Sequence, residues 1–330
     1  MDLTGATAYH GPGWRPRLGT LVDDVADGVL WAPYAVASDS AVLRAVALHC
    51  PTRQHLEHAS PDVLQHAMLV EHAGLEREIN MLAGRYEALG VRVHWVPPPP
   101  PELWPKRLAG ANAMYARDLL WMTPAGAVIS RMASTVRAGE ERQAQRLLAE
   151  LGVPTVRTIA ESGTFEGADA LWLRPGLAAI GHGRRTNAAG ADQAARVVHE
   201  LGGTVVDVKV PDTIQHLLGL VQVLDEDLLA VRVDLVRPRD LASLKAQSFE
   251  LIEVHESLEI ARHLAFNFVV LGPRRVLMMA GAVELSTQLT SHGIDVVDMI
   301  RADHLLDGAG GIACATGVLW RAALADRNES

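Results

Sequence analysis

The chain has 330 residues, 49% of them hydrophobic and 21% charged, with a formal net charge of −9. This is enough apolar material for a large buried core, and the balance is too acidic for a phosphate-binding surface, so no nucleic-acid partner is expected. The start, Met1-Asp2-Leu3-Thr4-Gly5, lacks the basic and apolar regions of a signal peptide, and no apolar run is long enough to span a bilayer, so the expectation is a cytoplasmic protein with no membrane partner.

Residues 1–40 read as an irregular N-terminal extension draped over the body, with Gly-Pro-Gly at 11–13 and Trp31-Ala32-Pro33-Tyr34. Residues 41–330 read as a single domain in which one pattern recurs. Leu43–His49 has the composition of a strand, and a helix carrying Leu75, Ile79, Leu82 and Tyr86 on one face follows. It runs through Gly90 into the strand-like Val91–Val96. Gly90 has the place of the glycine that ends a helix.

The second copy is a hairpin of Asp118–Met122 and Ala127–Arg131, a helix over Glu140–Leu151 and a strand from Val153. The third has Ala170–Leu173, Ala178–Ile180, a helix near Ala191–Leu201 and Thr204–Val206. The fourth has Leu220–Leu224, Leu228–Val233, a short helix after Pro238 and Phe249–Val254. The fifth has Phe268–Leu271, Val276–Met279, a helix from Glu284 and Ile294–Val297. Five hairpin–helix–strand units at a spacing of roughly 40–50 residues indicate a radial repeat, an α/β chain closed into a pseudo-five-fold ring. Closure removes sheet edges and leaves a central channel. The strand after Cys314 has no helix of its own, so residues 315–321 are expected to pair with the strand near 43–49 and shut the ring. Gly181-His182-Gly183 lacks the third glycine of a dinucleotide loop, and no Gly-Lys-Ser/Thr loop exists, so no nucleotide cofactor is expected.

Cys50 and Cys314 are the only two cysteines, which gives no disulfide framework and points to a reducing compartment. The fourteen histidines include no His-Glu-x-x-His and no compact ligand spacing, so no metal is expected. His55, His58, His66 and His72 are placed in a polar, solvent-facing region. Cys314 follows Asp307-Gly308-Ala309-Gly310-Gly311, whose glycines permit positive φ and close approach to a ligand. The thiol is therefore expected at a turn that opens onto a strand.

Polar groups recur where one unit passes into the next: Tyr115-Ala116-Arg117-Asp118, Phe165-Glu166-Gly167-Ala168-Asp169, Gln215-His216-Leu217-Leu218 and the turn before Cys314. Each precedes a strand, so in a ring all four reach one pocket. A thiol, an imidazole and carboxylates converging there suit attack on a cationic planar carbon. Each residue also has a plain structural alternative: Asp118 as a turn cap, Glu166 facing solvent, His216 and Cys314 as core residues.

Arg184-Arg185-Thr186-Asn187, Glu166-Gly167-Ala168-Asp169, His216-Leu217 and Gly310-Gly311-Ile312-Ala313-Cys314 resemble the guanidine-modifying pentein superfamily. It contains dimethylarginine dimethylaminohydrolases, arginine deiminases and amidinotransferases. The resemblance spans residues 43 to 321 and implies a five-bladed ββαβ propeller. It makes Cys314 the nucleophile, His216 the general acid and base, and Glu166 and Asp118 the carboxylates around the guanidinium, with Asp169 and Asn112 also in the substrate set. Arg137 and Arg185 match arginines that grip a substrate carboxylate. Leu218 departs from the aspartate or lysine of the relatives and is expected to face the substrate nitrogens, favouring an alkylated one. The implied reaction is hydrolysis of a guanidino compound to a ureido product such as citrulline, without a cofactor. The alternatives are amidino transfer to an amine and a ring that binds without catalysis. The expected partner is the small-molecule substrate, with a homo-oligomer left open.

Overall fold

The computed structural model describes residues 4, 6–9, 11–57, 59–99 and 110–322. The rest of the expected N-terminal extension, His58 and residues 323–330 lie outside the described residues. Strands β1 (Leu43–Leu48) and β2 (Arg92–Trp95) flank the helix His72–Ala88. The second unit comprises β3 (Leu120–Thr123), β4 (Gly126–Ile129), the helix Glu141–Leu151 and β5 (Thr155–Thr158). The third comprises β6 (Ala170–Arg174), β7 (Leu177–His182), the helix Ala188–Glu200 and β8 (Thr204–Lys209). The fourth has β9 (Val221–Val223), β10 (Leu228–Arg232), the helix Pro238–Lys245 and β11 (Glu250–Val254). The fifth has β12 (Val269–Gly272), β13 (Arg275–Met279), the helix Val283–Ser291 and β14 (Asp295–Ile300). A last strand, β15 (Gly317–Arg321), follows Cys314.

These strands make five three-stranded sheets, each with an antiparallel pair and a parallel third strand. Closure follows the expected route. β15 runs antiparallel to β1, with Leu43 opposite Arg321 and Ala47 opposite Gly317, so the first blade is assembled from both ends of the chain. β15 also contacts β3, and β6 contacts β9, which places β15, β3, β6, β9 and β12 around the axis. Strands β3, β4, β9 and β10 are buried along their whole length, as expected of strands covered on both faces, whereas β2 and β5 are half-exposed. Helices end where glycine permits a left-handed residue: Gly90, Gly152, Gly202 and Gly293 have φ of 74°, 70°, 79° and 77°. In the fourth blade Ser248 takes that conformation, at φ 64°.

The N-terminal segment is not wholly irregular. Thr20 and Asp23 form a reciprocal cap on a helix over Leu21–Asp27. Beyond it the chain crosses two blades, where Val36 N donates to Thr123 O, and Asp39 N donates to Trp172 O while its carboxylate accepts from Trp172 N. The histidine-rich stretch is also less exposed than expected, because His55 and His66 are buried against the ring.

Blade-to-blade packing leaves no room at Gly167, where a Cβ would overlap the Leu120 carbonyl oxygen of the preceding blade. Gly84, inside the helix His72–Ala88, faces open space. Gly167→Ala should therefore destabilise by about 1–3 kcal/mol. Gly84→Ala should stabilise by about 0.5–1 kcal/mol. Urea unfolding of both variants checks this, and equal effects would contradict the packing assigned to Gly167.

Candidate active site

Short single turns precede the axial strands. Three are 3-10 turns, Ala116–Asp118, Gly167–Asp169 and Leu217–Gly219, and the fourth is the helical turn Ile312–Ala315 that carries Cys314. The turns pack on one another around the channel. One ligand atom from each of Asp118, Glu166 and His216 lies within 4.8 Å of the other two. Asp118, Glu166 and His216 are thus brought together, and the thiol rides on a turn of helix rather than a loose loop.

His216 Nε2 donates to Glu166 Oε2 at 2.7 Å, and its Nδ1 lies 3.7 Å from Asp118 Oδ1. Burial alone would discharge this imidazole. The Asp118 charge, the Glu166 hydrogen bond and Asp169 outweigh it and raise its pKa from 6.5 to about 9. Glu166 is wholly buried, but His216 and the nearby Arg137 and Arg185 hold its carboxyl well below the usual range. The pair therefore stands as imidazolium and carboxylate at neutral pH. Burial and the Asp118 charge push the Cys314 thiol up; the Gly311 backbone, Asn267 and Arg137 pull it down.

Arg137 departs from its expected role. It is 3% exposed and donates to Glu140 Oε2 (2.8 Å), Asp118 Oδ2 (2.6 Å) and the Asn112 carbonyl (3.1 Å), with Glu166 Oε2 at 3.8 Å. Its guanidinium is spent on protein acceptors inside the site, so it does not wait at the rim for a substrate carboxylate. Asn112 is committed as well: its Oδ1 accepts from His66 Nε2 and its Nδ2 donates to Leu64 O. Asp169 accepts from Thr186 Oγ1 (2.6 Å) and Leu217 N (2.8 Å), facing the chain around His216 rather than a ligand. Burial raises its pKa to about 6. Leu218 lines a small cavity in the channel with Asp39, Arg117 and Ala313, and the expected preference for alkylated nitrogens has no contact there to rest on. Arg185 does stand at the edge, half-buried, 3.7 Å from Glu166 Oε1.

Asn267 was not expected. Its Nδ2 donates to Cys314 Sγ at 2.9 Å, and its Oδ1 accepts from Ala313 N at 2.8 Å. A signal existed, because Asn267 precedes the first strand of the fifth unit, the same place as Asp118, Glu166 and His216 in theirs. The glycines before Cys314 serve packing: a Cβ at Gly308 or Gly310 would overlap Tyr115, and one at Gly311 would press on Asn267. The positive φ falls instead on Ala309, at 71°.

Two outcomes follow from this geometry. Asn267→Ala should raise the thiol pKa and Asp118→Asn should lower it, read from the pH dependence of iodoacetamide alkylation; an unchanged profile in Asn267→Ala removes it from control of the thiol. The imidazolium also links stability to pH. Because the folded pKa of His216 exceeds its unfolded value of 6.5, its contribution is full below pH 6.5 and is lost as pH rises through about 9. The Glu166 contribution has the opposite sign, present above its unfolded value of 4.5 and lost in acid. The melting temperature should fall across the alkaline window, and His216→Gln should flatten that fall. A slope unchanged in the variant assigns it to other groups.

A family model described as arginine deiminase matches residues 110–245. An uncharacterized protein of Aeropyrum pernix is 26% identical over 191 residues, which is 57% of this chain and 65% of that protein. An N(G),N(G)-dimethylarginine dimethylaminohydrolase of Streptomyces coelicolor is 28% identical over 186 residues, or 56% and 66% of the two chains. The matched stretch thus spans just under two thirds of either relative. Among solved structures, a variant of the Pseudomonas aeruginosa dimethylarginine dimethylaminohydrolase complexed with citrulline superposes with a TM-score of 0.67 at 19% identity, covering 84% of this chain and 99% of that one. The Microseira wollei amidinotransferase SxtG gives 0.73 at 15% identity, covering 88% and 98%. The described helices include none long and apolar enough to cross a membrane. With its five ββαβ blades the chain has the fold of these solved structures, and over part of its length its sequence is similar to arginine deiminases and dimethylarginine dimethylaminohydrolases.

Proposed function

We propose that the protein is a cysteine-dependent hydrolase of a guanidino acid, arginine or an N-substituted arginine, working in a reducing cytoplasmic compartment. Two unpaired atoms carry this reading. Asp118 Oδ1 is a buried acceptor without a hydrogen bond, and Arg185 Nη1 is a donor without one. A buried polar atom left unpaired costs about 1–3 kcal/mol, so both favour a ligand with a guanidinium at one end and a carboxylate at the other. Arg185 alone takes the carboxylate, since Arg137 is already engaged.

In the reaction, Cys314 loses its proton to solvent as the guanidinium binds, and the thiolate adds to the guanidinium carbon. The His216 imidazolium gives its proton to the departing nitrogen, which leaves as ammonia or an amine. A thiouronium cation remains on Cys314. Neutral His216 then takes a proton from water, and the hydroxide adds to the same carbon. Collapse expels the Cys314 thiolate, which recovers the hydroxyl proton, and the product is a ureido acid. His216 is an imidazolium again, as at the start. Asp118 holds the guanidinium through both steps, and Glu166 keeps the imidazole oriented.

The test is turnover of arginine and its N-methylated forms, with products read by mass spectrometry and with acceptor amines present or absent. Cys314→Ser should lower the rate at least about a thousandfold and retain binding. Arg185→Met should lower kcat/KM on arginine roughly 10- to 150-fold through loss of a charged hydrogen bond, while leaving decarboxylated arginine nearly unaffected. Equal losses on both substrates would remove Arg185 from carboxylate recognition. A product carrying the acceptor amine would replace hydrolysis with amidino transfer.

A further inference from the structure

Along the axis the inner strands line a cavity of about 30 Å³, with Asp39, Arg117, Gln222, Val270, Val318 and Arg321 among its walls. A water needs roughly 10–15 Å³ measured this way, so the space holds one small particle, or two waters at most. A second void of about 10 Å³ adjoins it at Asp39 and Arg117, with Trp121 on its wall.

The lining is unbalanced in two respects. In charge, two guanidinium groups stand beside one carboxylate. Asp39 Oδ1 accepts from Arg117 Nη2 at 3.1 Å, and its other oxygen accepts from Trp172 N. Arg321 has no carboxylate of its own and donates to the carbonyls of Ala41 (2.7 Å) and Val270 (2.9 Å). In hydrogen bonding, three fully buried donors on the surrounding residues are left without a partner: Arg117 Nε, Arg321 Nε and Trp121 Nε1. Arg117 and Arg321 are 6% and 5% exposed, so bulk water does not serve them. A spherical anion accepts from several donors at once and also cancels the surplus charge.

We propose that the channel holds one small monovalent anion of chloride size, bound between the Arg117 and Arg321 guanidinium groups. The ion stabilises the ring where the chain ends meet: Arg321 closes β15 on β1, Asp39 belongs to the N-terminal crossing segment, and Arg117 belongs to the turn that carries Asp118. Burial and the neighbouring Arg117 charge pull the Arg321 pKa down to about 10 against the pull of Asp39, consistent with a cation short of counter-charge.

The experiment uses the full chain in sodium gluconate at fixed ionic strength, with chloride or bromide exchanged in. The melting temperature should rise saturably with either halide, by about 2–4 °C at saturation, and should not respond to further gluconate. Crystals grown in bromide should show an anomalous peak within hydrogen-bonding distance of both guanidinium groups. Arg117→Met should abolish the halide-dependent rise. If that variant does not fold, the bromide map of the unaltered protein decides alone. A channel without a bromide peak, or a melting temperature indifferent to halide, overturns the proposal and leaves the space to water.

Discussion

A charged imidazole held 2.7 Å from a fully buried carboxylate sets the terms for everything around it. Removing two charges from water costs several kcal/mol each unless geometry and further hydrogen bonds satisfy what remains. The chain supplies those bonds from neighbouring turns. Glu166 Oε1 accepts from Ala133 N, and Glu166 N donates to Thr186 Oγ1. The same hydroxyl donates to Asp169, whose other oxygen takes Leu217 N, next to His216. One threonine and one aspartate thus fix the backbone of both members of the pair. Asp169 is conspicuous in the sequence as a carboxylate, yet its hydrogen bonds go to the chain on either side of the pair.

Arg137 belongs to the same economy of charge. Asp118, Glu140 and Glu166 are buried within reach of it, and without a resident cation they would repel one another strongly in a low-dielectric interior. With Arg137 in place, Asp118 keeps one oxygen bonded and one free. An arginine that grips a substrate and an arginine that holds the site's own carboxylates apart look identical in sequence, and the acceptors within reach decide between them.

Charge is also divided along the axis. Arg117 and Asp118 are consecutive on a single 3-10 turn, but Asp118 turns to Arg137 and His216, while Arg117 turns to Asp39 in the N-terminal segment. The reacting end gathers the carboxylates Asp118, Glu140, Glu166 and Asp169. The cavity between the inner strands has two arginines and one carboxylate. The N-terminal segment is accordingly part of the ring's electrostatics, since Asp39 is the acceptor for Arg117.

The sequence by itself determined the architecture, because hydrophobic periodicity and glycine-ended helices are local properties that repeat wherever the blade repeats. Five units, their strands within a few residues, and the return of β15 to β1 were all legible, as were Cys314, His216, Glu166 and Asp118 at the starts of axial strands. The same reasoning carried one blade further reaches Asn267, a lone amide between Phe266 and Phe268. Only the tertiary structure decided what each polar side chain faces. A turn places consecutive residues on different sides, and whether Arg137, Asn112, Asp169 or Leu218 meets a ligand or another blade depends on chain brought in from far away. Asp118 for Arg137, His66 for Asn112 and Leu217 for Asp169 are such partners, 19, 46 and 48 residues away. Periodicity constrains which residues are buried; it does not contain the identity of a partner that far along the chain.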